Sequence, residues 1–236
     1  MRRVALVTLA VAVPYTAAGL WVDRYVGHGG QLLLGLLTAA VLAGLLLLHP
    51  RSIRVQTIGV VGIATLGEVV GSLIWGLYSY RLDNLPAFVP PGHGLVFLCG
   101  VSLATLAEAR RGTLLAGAVV GAAAWGIAGV AVLPARDVAG AIGCAFLVLV
   151  VLRTGRTVYA GVFLAVAALE LYGTAIGTWT WEGVVPGLGL SQGNPPSGVA
   201  SGYVVFDILA LAIATRVSAG WLRGIPRAAR ATAMRF

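Results

Sequence analysis

The chain has 236 residues, 59% of them hydrophobic and only 10% charged, and a formal net charge of +8. A water-soluble domain of this size needs more polar surface than that, so the composition excludes an ordinary soluble fold and makes lipid the expected solvent. Nucleic acid is excluded as a partner on the same page: every basic residue is arginine, none is lysine, and the arginines stand in short clusters between apolar runs, the pattern of membrane topology signals.

Apolar runs of about twenty residues, the length that crosses a hydrocarbon layer roughly 30 Å thick, recur from end to end. They predict an all-α, polytopic transmembrane helical bundle of about eight spans, at 4–22, 31–49, 56–80, 93–109, 113–133, 137–153, 157–181 and 197–217. Residues 1–217 form one transmembrane domain on this reading, followed by a basic tail at 218–236. The first run has a basic start but no small-residue cleavage site, and is read as a span, not as a signal peptide. Cys99 and Cys144 fall inside spans, where they act as small apolar residues.

With the N-terminus in the cytoplasm, Arg2, Arg3, Arg51, Arg54, Arg110, Arg111, Arg153, Arg156 and the tail arginines from Arg216 to Arg235 all fall inside, and only Arg24, Arg81 and Arg136 outside. The expectation is therefore a multi-pass protein of the cell membrane with both ends cytoplasmic. Two longer connections, 81–92 (RLDNLPAFVPPG) and 182–196 (EGVVPGLGLSQGNPP), then lie on the outer side as candidate lids. Their proline and glycine deny the backbone a helix.

A shift of 102 residues carries Glu68, Gly71, Ser72 and Ile74 onto Glu170, Gly173, Thr174 and Ile176. After a short gap, Pro90-Pro91-Gly92-His93-Gly94 answers to Pro195-Pro196-Ser197-Gly198. The expectation is a parallel four-plus-four repeat, 1–111 and 112–217, related by an axis along the membrane normal.

Of eight acidic residues, Asp23, Asp83, Glu108, Asp137 and Glu182 sit at or beyond span ends, where a carboxylate stays hydrated. Glu68, Glu170 and Asp207 lie inside apolar runs, where an ionised side chain costs about 2.5–3.5 kcal/mol on insertion scales. On helices, Glu68, Ser72, Trp75 and Ser79 share one face, and Glu170, Thr174, Gly177 and Trp181 share another. Trp75, Tyr78, Tyr80, Tyr172, Trp179, Trp181 and Tyr203 crowd the outer half, with His93 and Asn194 at the adjoining helix start and loop. These predict a pocket acidic at its base and aromatic around its walls. Against that stand plainer roles: tryptophan and tyrosine gather at any membrane interface, and a protonated carboxyl can simply tie two helices together.

Exclusion from water favours the neutral form of a carboxyl group, which can then deliver its proton to a substrate. A protonated alkene or epoxide becomes a carbocation, and the faces of Trp and Tyr stabilise positive charge in a dry pocket. Acid plus aromatics therefore suits a lipophilic isoprenoid substrate. Glu68 is the expected acid, with Asp207 or Glu170 as its base or cation partner. The three histidines, His28, His49 and His93, are too scattered for a convergent metal site, and no metal or organic cofactor is expected. Paired midplane acids in two repeats also fit a proton-coupled or lipid-handling transporter, and the polar loops fit a non-catalytic subunit of a membrane complex.

Glu68-Val69-Val70-Gly71, then Trp75-Gly76-Leu77-Tyr78-Ser79-Tyr80, then Pro86 and Pro90 resemble the ExxG…GxYxY…P pattern of integral-membrane carotenoid hydratases of the bisanhydrobacterioruberin hydratase type. The likeness covers about thirty residues, with a weaker echo at Glu170-Leu171-Tyr172-Gly173 and Trp179-Thr180-Trp181. It implies that Glu68 is the acid and that Tyr78 and Tyr80 line the substrate path. The Pro91-Gly92-His93-Gly94 helix start and the NPPSG loop depart from that family. The chain is also similar in length to the membrane-bound terpene cyclases of meroterpenoid biosynthesis, with Glu68 and Asp207 matching the placement of their early and late acids. Hydration and cyclisation both stay open.

Overall fold

The computed structural model describes residues 1–133 and 136–224, with the side chains of the last helix followed as far as Ile213. The side chains of the expected basic tail, 218–236, lie outside the described residues, as does its backbone from 225 onward.

The described residues form eight α-helices: α1 (Arg2–Asp23), α2 (His28–Leu48), α3 (Arg51–Glu68), α4 (Val89–Leu106), α5 (Arg111–Ala131), α6 (Val138–Thr154), α7 (Thr157–Ala175) and α8 (Ala200–Gly224). In hydrocarbon every backbone N–H must find its partner within the chain, and a helix does so residue by residue. Six helices are long and apolar enough to cross a membrane: α1, α2, α3 with its extension to Ile74, α4, α5 with the turn before it, and α7. Local signals set the ends. Pro90 stands in the first turn of α4, where a missing N–H costs nothing. Asp137 caps α6 by accepting from Gly140 N (2.9 Å), and Gly155 closes that helix in the left-handed conformation.

The centre of the bundle is a quartet: α3 packs on α4 and α8, and α7 packs on α4 and α8. Helices α1 and α2 flank α4, while α5 and α6 pack on each other and against α7 and α8. Small residues let the central helices meet closely. A Cβ on Gly161 of α7 would stand 2.2 Å from the Gly100 carbonyl oxygen of α4, and one on Gly59 of α3 would stand 3.3 Å from Ala210 Cβ of α8. Backbones in such contact gain dispersion that larger side chains would forbid.

Spans three and seven are shorter than the sequence predicts. After Glu68 the chain makes a π-helical turn, Val69–Ile74, and then leaves the helix, as α7 does at Ala175. Gly76 (φ +71) and Gly177 (φ +76) take the left-handed conformation that ends each helix, a conformation glycine adopts without steric cost. The chain then runs back as two short strands, β1 (Tyr78–Tyr80) and β2 (Trp179–Trp181), paired antiparallel with Tyr78 opposite Trp181 and Tyr80 opposite Trp179. The expected helical stripes ending in Ser79 and Trp181 are therefore not formed. Their alternating aromatic residues follow the period of a strand, not of a helix.

Two carboxylates expected to be hydrated are buried. Asp23, with no exposed surface, accepts from Gln31 Nε2 (2.8 Å) and faces the Arg81 guanidinium at 3.6 Å. Arg81 also donates to the Asp23 and Val26 carbonyls. Asp137 accepts from Gly193 N (2.8 Å) and Ser197 N (2.6 Å) besides Gly140 N. Each helix-end position turned out to face a folded loop, not water.

Candidate functional site

Both strands fold back over the helices they follow, and that reversal builds the site. The Tyr78 and Tyr80 hydroxyls donate to Glu68 Oε2 at 2.7 and 2.6 Å, and His93 Nε2 of α4 lies 2.8 Å from Glu68 Oε1. Around Glu170, the Trp179 and Trp181 indoles donate to Oε2 at 2.9 and 3.2 Å, and the Tyr203 hydroxyl of α8 reaches Oε1 at 3.4 Å. Each carboxyl thus receives two aromatic donors from the strand after it and a third group from the helix after that.

The two arrangements match in the backbone as well. Arg81 N donates to Thr178 O (3.1 Å) and Glu182 N to Leu77 O (3.0 Å), the same bond made in both directions across the sheet. A Cβ on Gly71 would stand 3.3 Å from the Tyr78 ring, and one on Gly173 would stand 2.2 Å from the Trp179 ring. The glycine three residues after each acid therefore leaves room for the returning ring. Ten residues separate Glu68 from Tyr78 and nine separate Glu170 from Trp179. The extra residue lies in the π-helical turn, where Trp75 N bonds Val70 O across five residues. Such one-residue insertions in helices gather at functional sites.

Glu68 and Glu170 line one cavity of about 220 Å³. Its wall includes Tyr78, Tyr80, His93, Trp179, Trp181 and Tyr203, all expected from the sequence. It also includes residues the sequence reading missed: Phe206, Phe88, and Tyr15 with Thr38 from α1 and α2. Phe206 had one legible signal, since Gly67, beside the acid, is the space its ring fills: a Cβ there would stand 2.4 Å from the ring. Tyr15 and Thr38 had none beyond being hydroxyls in apolar runs, and they bond each other at 2.8 Å.

Four expected residues stand elsewhere. Trp75 is 43% exposed and its indole donates to Pro186 O (2.9 Å). Tyr172 donates to Ala17 O (3.1 Å), tying α7 to α1. Asn194 accepts from Trp181 N (3.0 Å), so it supports the sheet from behind. Asp207 is buried in α8 outside the cavity lining, and its Oδ2 has no hydrogen-bond partner among the described residues. Of the two expected lids, 81–92 contributes Phe88, Val89 and Gly92 to the wall, whereas 182–196 contributes nothing to it. Nor do the two proline pairs occupy like places. Pro90 and Pro91 lie within α4, whereas Pro195 and Pro196 precede α8, and it is His93 and Tyr203 that stand in matching contact with the two acids.

What this arrangement offers chemically is two carboxyl groups, one imidazole and a ring of aromatic faces around a small void with little else that is polar. Among the described residues, no three His, Cys, Asp or Glu side chains gather as metal ligands. No family model, curated protein or solved structure matches the chain.

Proposed function

We propose that this chain is a multi-pass enzyme of the cell membrane that protonates a C=C bond or epoxide of a lipophilic isoprenoid, leading to hydration or cyclisation. The observation that carries this reading is the shared cavity: Glu68 and Glu170 open into one void walled by Tyr, Trp and Phe rings. Protonation of an alkene needs a positioned acid and a surface that tolerates a carbocation, and aromatic faces supply the second through their quadrupole. The void is smaller than the roughly 300–1,000 Å³ of a drug-sized site, so it receives one end of a long chain whose remainder lies in the bilayer. The carotenoid-hydratase likeness agrees with this, since the residues that carry it, Glu68, Gly71, Gly76, Tyr78 and Tyr80, are those that build one side of the site.

On this reading the chain crosses the membrane eight times with both termini cytoplasmic, and the strands and the cavity lie in its outer half. Matched acid, glycine, left-handed turn and strand in each half support an internal duplication. That same matching favours a second reading, a small proton-coupled carrier with two related acid sites.

The test is turnover of linear isoprenoid polyenes by the full chain in lipid nanodiscs, read by mass and retention time. Gain of one water marks hydration, and unchanged mass with altered retention marks cyclisation. Glu68→Gln and Glu170→Gln each abolish turnover while leaving polyene binding intact. Full-rate turnover by either variant removes that residue from the account, and pH-driven uptake into proteoliposomes without product favours the carrier.

A further inference from the structure

The donors around each carboxyl show which one has a place for a proton. Indole N–H groups donate and never accept, so Glu170 Oε2, which takes both tryptophans, is not the oxygen that carries one. A proton on Glu170 sits on Oε1, beside only the Tyr203 hydroxyl at the longest of the six contacts. Glu68 is the opposite case. Both its oxygens are held at 2.6–2.8 Å by groups able to donate, two phenols and an imidazole, the environment of an ionised carboxylate. An ionised Glu68 requires hydrogen on His93 Nε2, so that all three of its partners donate to it.

We propose that the two clusters of the cavity divide their roles: Glu170 is the acid and gives its proton through Oε1, while Glu68, held by three donors, is the ionised carboxylate that offsets the charge of the cation. This rests on the reading of the cavity as a protonation site. In the first step the Glu170 O–H bond breaks as a C–H bond forms at one alkene carbon, using the π electrons and leaving a cation at the neighbouring carbon. The cation is closed by water, whose oxygen bonds to carbon while one of its protons returns to the Glu170 carboxylate and restores the start. Without water, that carboxylate takes a proton from the carbon beside the cation and a new double bond forms. The acid's part, which the sequence reading gave to Glu68, falls to Glu170.

Infrared spectroscopy of the full chain in nanodiscs tests this without any substrate, so its outcome is separate from whether an isoprenoid is turned over. The C=O band of a protonated carboxyl at neutral pH is expected in the wild type, retained in Glu68→Gln and reduced by one group in Glu170→Gln. A band lost in Glu68→Gln and kept in Glu170→Gln overturns the assignment, as does a Glu170→Gln spectrum identical to wild type. Asp207 contributes equally to all three samples. Should Glu170→Gln fail to fold, Trp181→Phe serves instead: it removes one donor from the carbonyl oxygen of a protonated Glu170, and the band moves to higher wavenumber. An unmoved band overturns the proposal.

Discussion

Tyr78 and Trp181 face each other across the two-stranded sheet with ring centroids 4.4 Å apart, yet their polar atoms serve different acids, Tyr78 reaching Glu68 and Trp181 reaching Glu170. The sheet is therefore a shared partition: each strand supplies its own carboxyl with donors and stacks against the donors of the other. Removing one hydroxyl while keeping its ring separates the two duties. In Tyr78→Phe the stacking stays and Glu68 loses one of its two phenol donors. A hydrogen bond to a charged group is worth about 1.5–3 kcal/mol, so stability measured by unfolding in mixed micelles should fall by that order. An unchanged stability would mean that the phenol contributes packing alone.

The two glycines that admit the returning rings differ in how tightly they do so. At Gly71 a methyl would stand 3.3 Å from Tyr78, whereas at Gly173 it would stand 2.2 Å from Trp179, a separation only displacement of the indole relieves. Gly173→Ala is expected to cost about 1–3 kcal/mol as an overpacked site, to break the Trp179 bond to Glu170 and to change tryptophan fluorescence. Gly71→Ala should do much less. Equal effects from the two substitutions would show that the space behind the rings does not fix them.

The helical, apolar architecture was legible because twenty-residue runs have one good solution in lipid, and the acids stood out because their burial there is costly. What the apolar runs concealed was where helices three and seven stop. Hydropathy does not distinguish a helix from a strand, so Tyr78-Ser79-Tyr80 and Trp179-Thr180-Trp181 were counted into spans. The correct signal was present in Gly76 and Gly177, two residues before the start of each alternating triplet. Glu68 and Glu170 were found as a pair, but their convergence with His93 and Tyr203 depends on helix packing that sequence spacing does not encode. Asp23 and Asp137 were misplaced for the converse reason: a position at a helix end says nothing about whether a loop will cover it.

His49, between α2 and α3, carries a pH dependence that can be isolated. Its imidazole is buried and its Nε2 lies 3.0 Å from Thr8 Oγ1. Burial, with a smaller contribution from the Arg54 charge, holds its pKa below the ordinary 6.5. The folded chain therefore keeps this ring neutral where the unfolded chain would protonate it. Stability from this residue is complete above about pH 6.5 and declines as pH falls below it. Unfolding followed between about pH 7.5 and 5 should show a steeper acid loss in wild type than in His49→Gln. Parallel curves would assign the acid sensitivity to other groups.

Asp137 is the anchor on which the 182–199 segment depends. Its carboxylate collects the backbone N–H groups of Gly140, Gly193 and Ser197, while two further bonds join that segment to the strands: Asn194 Oδ1 accepts from Trp181 N, and Gln192 Nε2 donates to Leu77 O (2.9 Å). In Asp137→Asn one oxygen becomes an NH₂, which faces an N–H donor and leaves it without an acceptor. An unsatisfied buried donor costs about 1–3 kcal/mol, and the loss falls on the loop before it reaches the helices. Amide hydrogen exchange should therefore quicken at 191–198 and at Trp181, with the interior of α4 and α7 protected as before. Uniform loss of protection throughout the bundle would instead make Asp137 a support of the whole fold, and no change at 191–198 would show that the loop is held by its other bonds, those of Gln192 and Asn194 and of Ala139 N to Ser191 O among them.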